Sequence, residues 1–118
     1  MTFSIVAFNP STKELCAATS TGLVAVGDLV PSIVPNVGAI CVQAMVNPSS
    51  RETILNLMKK GFSNESAFND VLKNDREKEH RQIIVVNAKG ETHVFSGIKT
   101  IDISDSCMEN NFAIAGNM

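Results

Sequence analysis

The stretches AICVQAMV (residues 39–46) and TFSIVAF (residues 2–8) constrain the fold most. Each has the length of a strand, and each is largely apolar on both of the faces a strand presents. Gln43 is the only polar side chain in the first of them. A strand that is apolar on both faces belongs in a sheet covered on both sides. The sequence provides two helices for that purpose, enough for one face. The other face needs a second sheet, further chain, or a partner subunit.

The remaining elements fall around these strands. NPSTKE is a turn, and LCAATS returns as a second strand, which makes an antiparallel hairpin with residues 2–8. TGLVAVGDLVPSIVPNVG is apolar but broken by Gly22, Gly27, Pro31, Pro35 and Gly38, which predicts short strands and turns rather than a helix. NPSSRETILNLMKKG carries helix signals at both ends: Asn47 as N-cap, Pro48 at the first helical position, Lys59 and Lys60 in the last turn, and Gly61 beyond. SNESAFNDVLKND predicts a second helix capped by Ser63, with Phe68, Val71 and Leu72 facing inward. REKEH is a solvated connector. RQIIVVNAKGETHVFSG predicts a hairpin turning at Asn87 to Gly90. IKTIDIS (residues 98–104) and NFAIAGNM (residues 111–118) predict two more strands. Strands, then a helix pair, then strands make an α+β layout with a mostly antiparallel sheet, in one domain over residues 1–118.

Composition excludes several function classes. The net charge of -2 and the scattered basic residues provide no footprint for nucleic acid or an anionic membrane. No apolar run is long enough to span a bilayer, and the first residues lack the basic start of a secretory signal. Cys16, Cys41 and Cys107 lack zinc-like or CxxC spacing; Cys16 and Cys41 sit inside apolar strand patterns, and the three read as buried free thiols, which fits a reducing cytoplasm. No metal-ligand cluster, phosphate loop or dinucleotide fingerprint is present, so no cofactor is expected. His80 reads as a surface residue and His93, in a hairpin strand, as a structural or exposed one.

TFSIVAF, AVGDLVP, VGAICVQAMVNPSS, RQIIVVNAKGETHVFSG and the final AGNM together resemble an uncharacterised family of bacterial and archaeal proteins. Its members open with Met-Thr-Phe-Ser-Ile-Val-Ala and resemble N-terminal-nucleophile (Ntn) hydrolases. The resemblance implies two stacked antiparallel sheets between two helical layers, an αββα arrangement. It also implies that this chain corresponds to the N-terminal half or more of a longer family domain. The missing part would supply strands of the second sheet and the second helical layer.

The Ntn likeness directs attention to Thr2. A Thr freed of Met1 carries a hydroxyl nucleophile and an α-amine base on one residue. The amine's ordinary pKa, about 7.7–8.0, suits a base near neutral pH. In the Ntn fold the oxyanion donors lie where a central strand turns into the first helix. By position that is Ala44, Met45, Val46 and Asn47, with Gln43 on the strand beside them. Asp28 is the only charged residue between Leu15 and Ser50 and is the candidate for orienting the amine. Thr19, Ser20 and Thr21 stand where proteasome-like relatives keep an acid, and no lysine occurs between Lys13 and Lys59, so proteasome-type wiring is absent. Two functions follow as expectations. One is an Ntn-type amide hydrolase with a small-molecule substrate, acting as a homo-oligomer. The other is a non-enzymatic scaffold or oligomeric binding protein on the same fold.

Overall fold

The computed structural model of the chain describes residues 1–100 and 103–118. Its strands are β1 (Thr2–Phe8), β2 (Leu15–Thr21), β3 (Pro31–Val34), β4 (Gly38–Ala44), β5 (Arg81–Asn87), β6 (Thr92–Ser96), β7 (Ser104–Glu109) and β8 (Phe112–Asn117). They form two antiparallel sheets, ordered β2-β1-β8-β7 and β3-β4-β5-β6. The helices are α1 (Val26–Leu29), α2 (Pro48–Lys59) and α3 (Asn64–Asn74), with a 3₁₀ turn at Lys78–His80. The fold class is α+β, as the sequence predicts.

The two apolar faces of β4 and β5 explain the stacking. Ile40, Val42, Ile83 and Val85 point to one side, where they meet Ile54, Leu55 and Met58 of α2 and Ala67, Phe68 and Leu72 of α3. Ala39, Cys41, Ile84 and Val86 point to the other side, where they meet Val6, Phe8, Ala113 and Ala115 of the first sheet. Full burial of each large apolar side chain contributes about 1.5–3 kcal/mol, so each face favours its own cover. The helix ends follow their signals. Asn47 Oδ1 accepts from the Ser50 N–H at 3.2 Å, and Ser63 Oγ accepts from the Ser66 N–H at 3.1 Å.

Each sheet takes four strands from this chain. The structure differs from the sequence expectations in several places. The polar segment SDSCME forms edge strand β7, because it pairs along the apolar β8 in register from Ser104↔Asn117 to Glu109↔Phe112. The strand expected over 98–104 falls partly at 101–102, outside the described residues. One helical turn, α1, fits between Ala25 and Pro31, and its Val26 and Leu29 pack on the core between the sheets. Finally, β4 stops at Ala44, whose φ of 68° is left-handed and turns the chain toward α2. Among the described residues, helices cover the outer face of the second sheet only. The outward face of the first sheet carries Phe3, Ile5, Cys16, Cys107 and Ile114, and Phe3 is 50% exposed. Cys16 and Cys107 are therefore exposed rather than buried as expected, because strand alternation turns them outward, and only Cys41 is buried.

Candidate functional site

The core between the sheets changes character along its length. At the end where β1 finishes, Val6, Phe8, Val86 and Ala113 make it apolar. At the end where β1 starts it is polar. There the inward residues are Thr2 and Ser4 of β1, Thr19 and Thr21 of β2, and Asn117 of β8. Gln43 of β4 and Gln82 of β5 face them from the other sheet. Strand alternation accounts for this placement, since the same inward positions are filled by different residue types at the two ends.

Buried amides need partners, and here they find one another. Ser4 Oγ donates to Gln43 Oε1. Gln43 Nε2 donates to Gln82 Oε1 at 2.7 Å and to the Ala115 carbonyl at 3.2 Å. Gln82 Nε2 is within reach of Ser96 Oγ at 3.0 Å and of the Gly116 and Asp105 carbonyls at 3.1 and 3.2 Å. Asn117 Nδ2 donates to Gln82 Oε1 at 3.2 Å. Gln43 and Gln82 are essentially inaccessible to solvent. The chain of bonds therefore stitches the two sheets together where apolar contact stops. Cys41 lies beside it, and burial pushes its thiol up to about 12 against a smaller opposing effect from a Ser4 hydrogen bond. Such a thiol stays protonated and unreactive.

Thr2 stands at the outer end of this cluster. It lies opposite Thr21 on one side and Asn117 on the other. Its Oγ1 is 3.1 Å from Thr21 Oγ1. The Thr21 hydroxyl donates to the Met1 carbonyl at 2.8 Å. On the opposite, outward face of the same strands an open depression of about 370 Å³ is lined by Phe3, Cys107, Ile114 and Gly116 and flanked by Met1, Ile103 and Met118.

The expected oxyanion turn is firmly held. The Met45 N–H donates to the His80 carbonyl at 3.0 Å, so this donor is already committed. The Met45 carbonyl accepts from Arg81 Nη1 at 2.6 Å. Asp75 grips the same guanidinium through two oxygens, with Nη2 to Oδ1 at 3.0 Å. The Arg81 hydrogen bond holds the Asp75 carboxyl below its ordinary range, although burial opposes it. Asn47 spends its side-chain oxygen on capping α2. Val46 packs against the core between the sheets, and Met45 is 46% exposed.

Of the residues expected from sequence, Thr2 and Gln43 are brought to the same polar end, two positions apart through Ser4. Asp28 lies exposed on α1, and its carbonyl, not its carboxylate, is engaged, by Arg51 Nη1 at 3.0 Å. His93 stacks edge-on against Phe68 with ring centroids 4.8 Å apart, and His80 is partly exposed beside Glu77. Thr19 and Thr21, at the strand end where an acid would stand in proteasome-like relatives, instead contribute hydroxyls to this cluster, and Ser4, Gln82 and Asn117 join it without having been expected. Their only sequence signal is polarity at inward strand positions, which becomes readable once the strand partners are known.

Among the described residues no cluster of three or more His, Cys, Asp or Glu side chains could hold a metal. No helix among them is long and apolar enough to cross a membrane. A family model described as "Family of unknown function (DUF1028)" matches residues 2–118. No curated protein matches. Among solved structures, the chain is similar to protein SPO2555 from Silicibacter pomeroyi, whose crystal structure is described with the same family model. The two share 30% identity at a TM-score of 0.94, over 99% of this chain and 52% of that one. The chain thus spans about half the length of that protein.

Proposed function

The chain belongs to the DUF1028 family, a family of unknown function, and from that premise we propose that it works as an Ntn-type amide hydrolase on a small-molecule substrate. Thr2 is the nucleophile, and its α-amine, exposed by removal of Met1, is the base. One observation carries this reading. The Thr2 hydroxyl is fixed at the polar mouth of the seam between the sheets, hydrogen-bonded to Thr21. A hydroxyl held by a rigid strand is already partly oriented for attack, which lowers the entropy lost on reaching the transition state. Of the proposed oxyanion donors at Ala44–Asn47, Met45 is already bonded to His80, so the hole draws on its neighbours or on a shift of that turn. Gln43 supports the site through Ser4, and Asp28 has a weaker claim because it lies exposed on α1.

The test begins with intact mass after expression in a host with normal methionine processing. The expected mass lacks one Met. An amide library should then be turned over by the processed protein and left intact by Thr2→Ala. Turnover that survives Thr2→Ala refutes Thr2 as the nucleophile.

A second reading rests on the outward face of the first sheet. Phe3, Ile5 and Ile114 line it without helical cover, which suits a scaffold or homo-oligomer that works by assembly. Retention of Met1 in the cell, with a self-associated species in sedimentation, would favour it over the hydrolase.

A further inference from the structure

The two hydroxyl pairs that join β1 to β2 run in opposite directions. In the deeper pair, the single Ser4 proton is committed to Gln43 Oε1. The amide's orientation is fixed, because Gln43 Nε2 is occupied by Gln82 and Ala115. The 2.6 Å bond between Ser4 and Thr19 therefore takes its proton from Thr19, whose alternative acceptor, the Phe3 carbonyl, is more distant at 3.3 Å. In the outer pair, the single Thr21 proton is on the Met1 carbonyl at 2.8 Å. The 3.1 Å bond between Thr2 and Thr21 therefore takes its proton from Thr2. With Met1 in place, the hydroxyl proton of Thr2 points at Thr21.

An Ntn nucleophile needs that proton on its own α-amine. Removing Met1 creates the amine and, in the same step, deletes the carbonyl that holds the Thr21 proton. We propose that Thr21 is the positioning residue for Thr2 and that Met1 sets its direction. Once Met1 is gone, Thr21 turns its proton onto Thr2 Oγ1, as Thr19 does onto Ser4. The Thr2 proton is then left for the α-amine, and the Thr21 O–H supports the negative charge that develops on Oγ1 during attack. Loss of Met1 thus supplies the base and reverses the hydrogen bond together. This inference rests on the reading of Thr2 as nucleophile.

The test uses the full chain produced from a cleavable fusion that leaves Thr2 first. The probe is a peptidyl epoxyketone, which needs both the hydroxyl and the α-amine of one residue and adds its whole mass to the protein. Labelling is followed by intact mass for the parent and for Thr21→Ser, Thr21→Val and Thr21→Ala, with folding checked by circular dichroism. The expected result is that Thr21→Ser labels like the parent. Thr21→Val and Thr21→Ala should lose about tenfold or more in the maximal labelling rate across the pH profile, with the half-saturating probe concentration unchanged. Labelling of Thr21→Val at the parent rate overturns the role of Thr21 and leaves Thr2 as nucleophile. Failure of Thr21→Ser along with Thr21→Val also overturns it, because the hydroxyl is then not what matters. No labelling of the parent overturns both readings.

Discussion

Gln82→Leu tests whether the amide chain between the sheets is a structural element or an incidental set of contacts. Leucine has a similar volume, so the change removes polar atoms without opening a large cavity. It takes away the acceptor shared by Gln43 Nε2 and Asn117 Nδ2. Gln43 keeps one N–H on the Ala115 carbonyl and loses the partner of the other. Asn117, 7% exposed, loses this bond. Each buried donor left without an acceptor costs about 1–3 kcal/mol, so the variant should lose roughly 4 kcal/mol. Ser96 is exposed and can turn to water, so it adds little. The chain has no Trp and no Tyr, so the assay is urea unfolding followed by far-ultraviolet circular dichroism. With a slope of about 2 kcal/mol/M, the midpoint should fall by about 2 M. The double variant Gln43→Leu/Gln82→Leu should lose about 1–2 kcal/mol less than the two single losses combined, because each removes a group the other would strand. A midpoint within about 0.5 M of the parent, or strict additivity, would refute the argument.

Two further predictions concern pH. The Cys41 thiol is pushed up to about 12 in the folded chain, from an ordinary value of 9.0. Between those values the unfolded chain gives up a proton that the folded chain keeps, so stability falls as pH rises above about 9. Cys41→Ala should remove that decline, at a loss of about 1 kcal/mol near neutral pH, measured as urea midpoints from neutral to alkaline pH; an unchanged alkaline slope would count against it. Asp75 runs the other way. Its folded value is lowered, so its contribution is present above the ordinary carboxylate value of 3.8 and is lost as pH falls through the folded value. Asp75→Asn should lose about 3 kcal/mol near neutral pH, because Arg81 is 5% exposed and is left without its counter-charge. Acid titrations of the two proteins should converge below about pH 4, and parallel curves would contradict the assignment.

Much of the layered fold is legible in the sequence because its signals are local. Asn47-Pro48 and Ser63 mark helix starts by chemistry confined to a few residues, and both act as caps. The double-sided apolar character of β4 correctly demands two covers. Strand β7 was missed because SDSCME owes its strand to pairing with β8, a long-range cause that leaves no trace in its own composition. The one-turn α1 was missed because Gly27 and Pro31 read as breakers, and a single turn fits before the proline. At the site, Gln43 stood out as the lone polar residue in an apolar run. Gln82 did not, because RQ at the start of IIVV resembles a strand rim exposed to water. Asn117 became visible only through its register opposite Thr2. The direction of each hydroxyl proton depends on which second acceptor lies nearby, and that follows from three strands meeting at once.

The passage from an apolar to an amide-rich interior along one seam also shapes how the chain responds to temperature. Exposing apolar surface on unfolding raises the heat capacity by about 0.45 cal/K/mol per Å², and exposing polar surface lowers it by about 0.26. Gln43, Gln82, Ser4 and Asn117 occupy places that a uniformly aliphatic sandwich would fill with carbon, so the opposing contributions partly cancel. The stability curve is accordingly flatter than that of an all-aliphatic sandwich of the same length. For a given peak stability, its cold and hot limits then lie further apart.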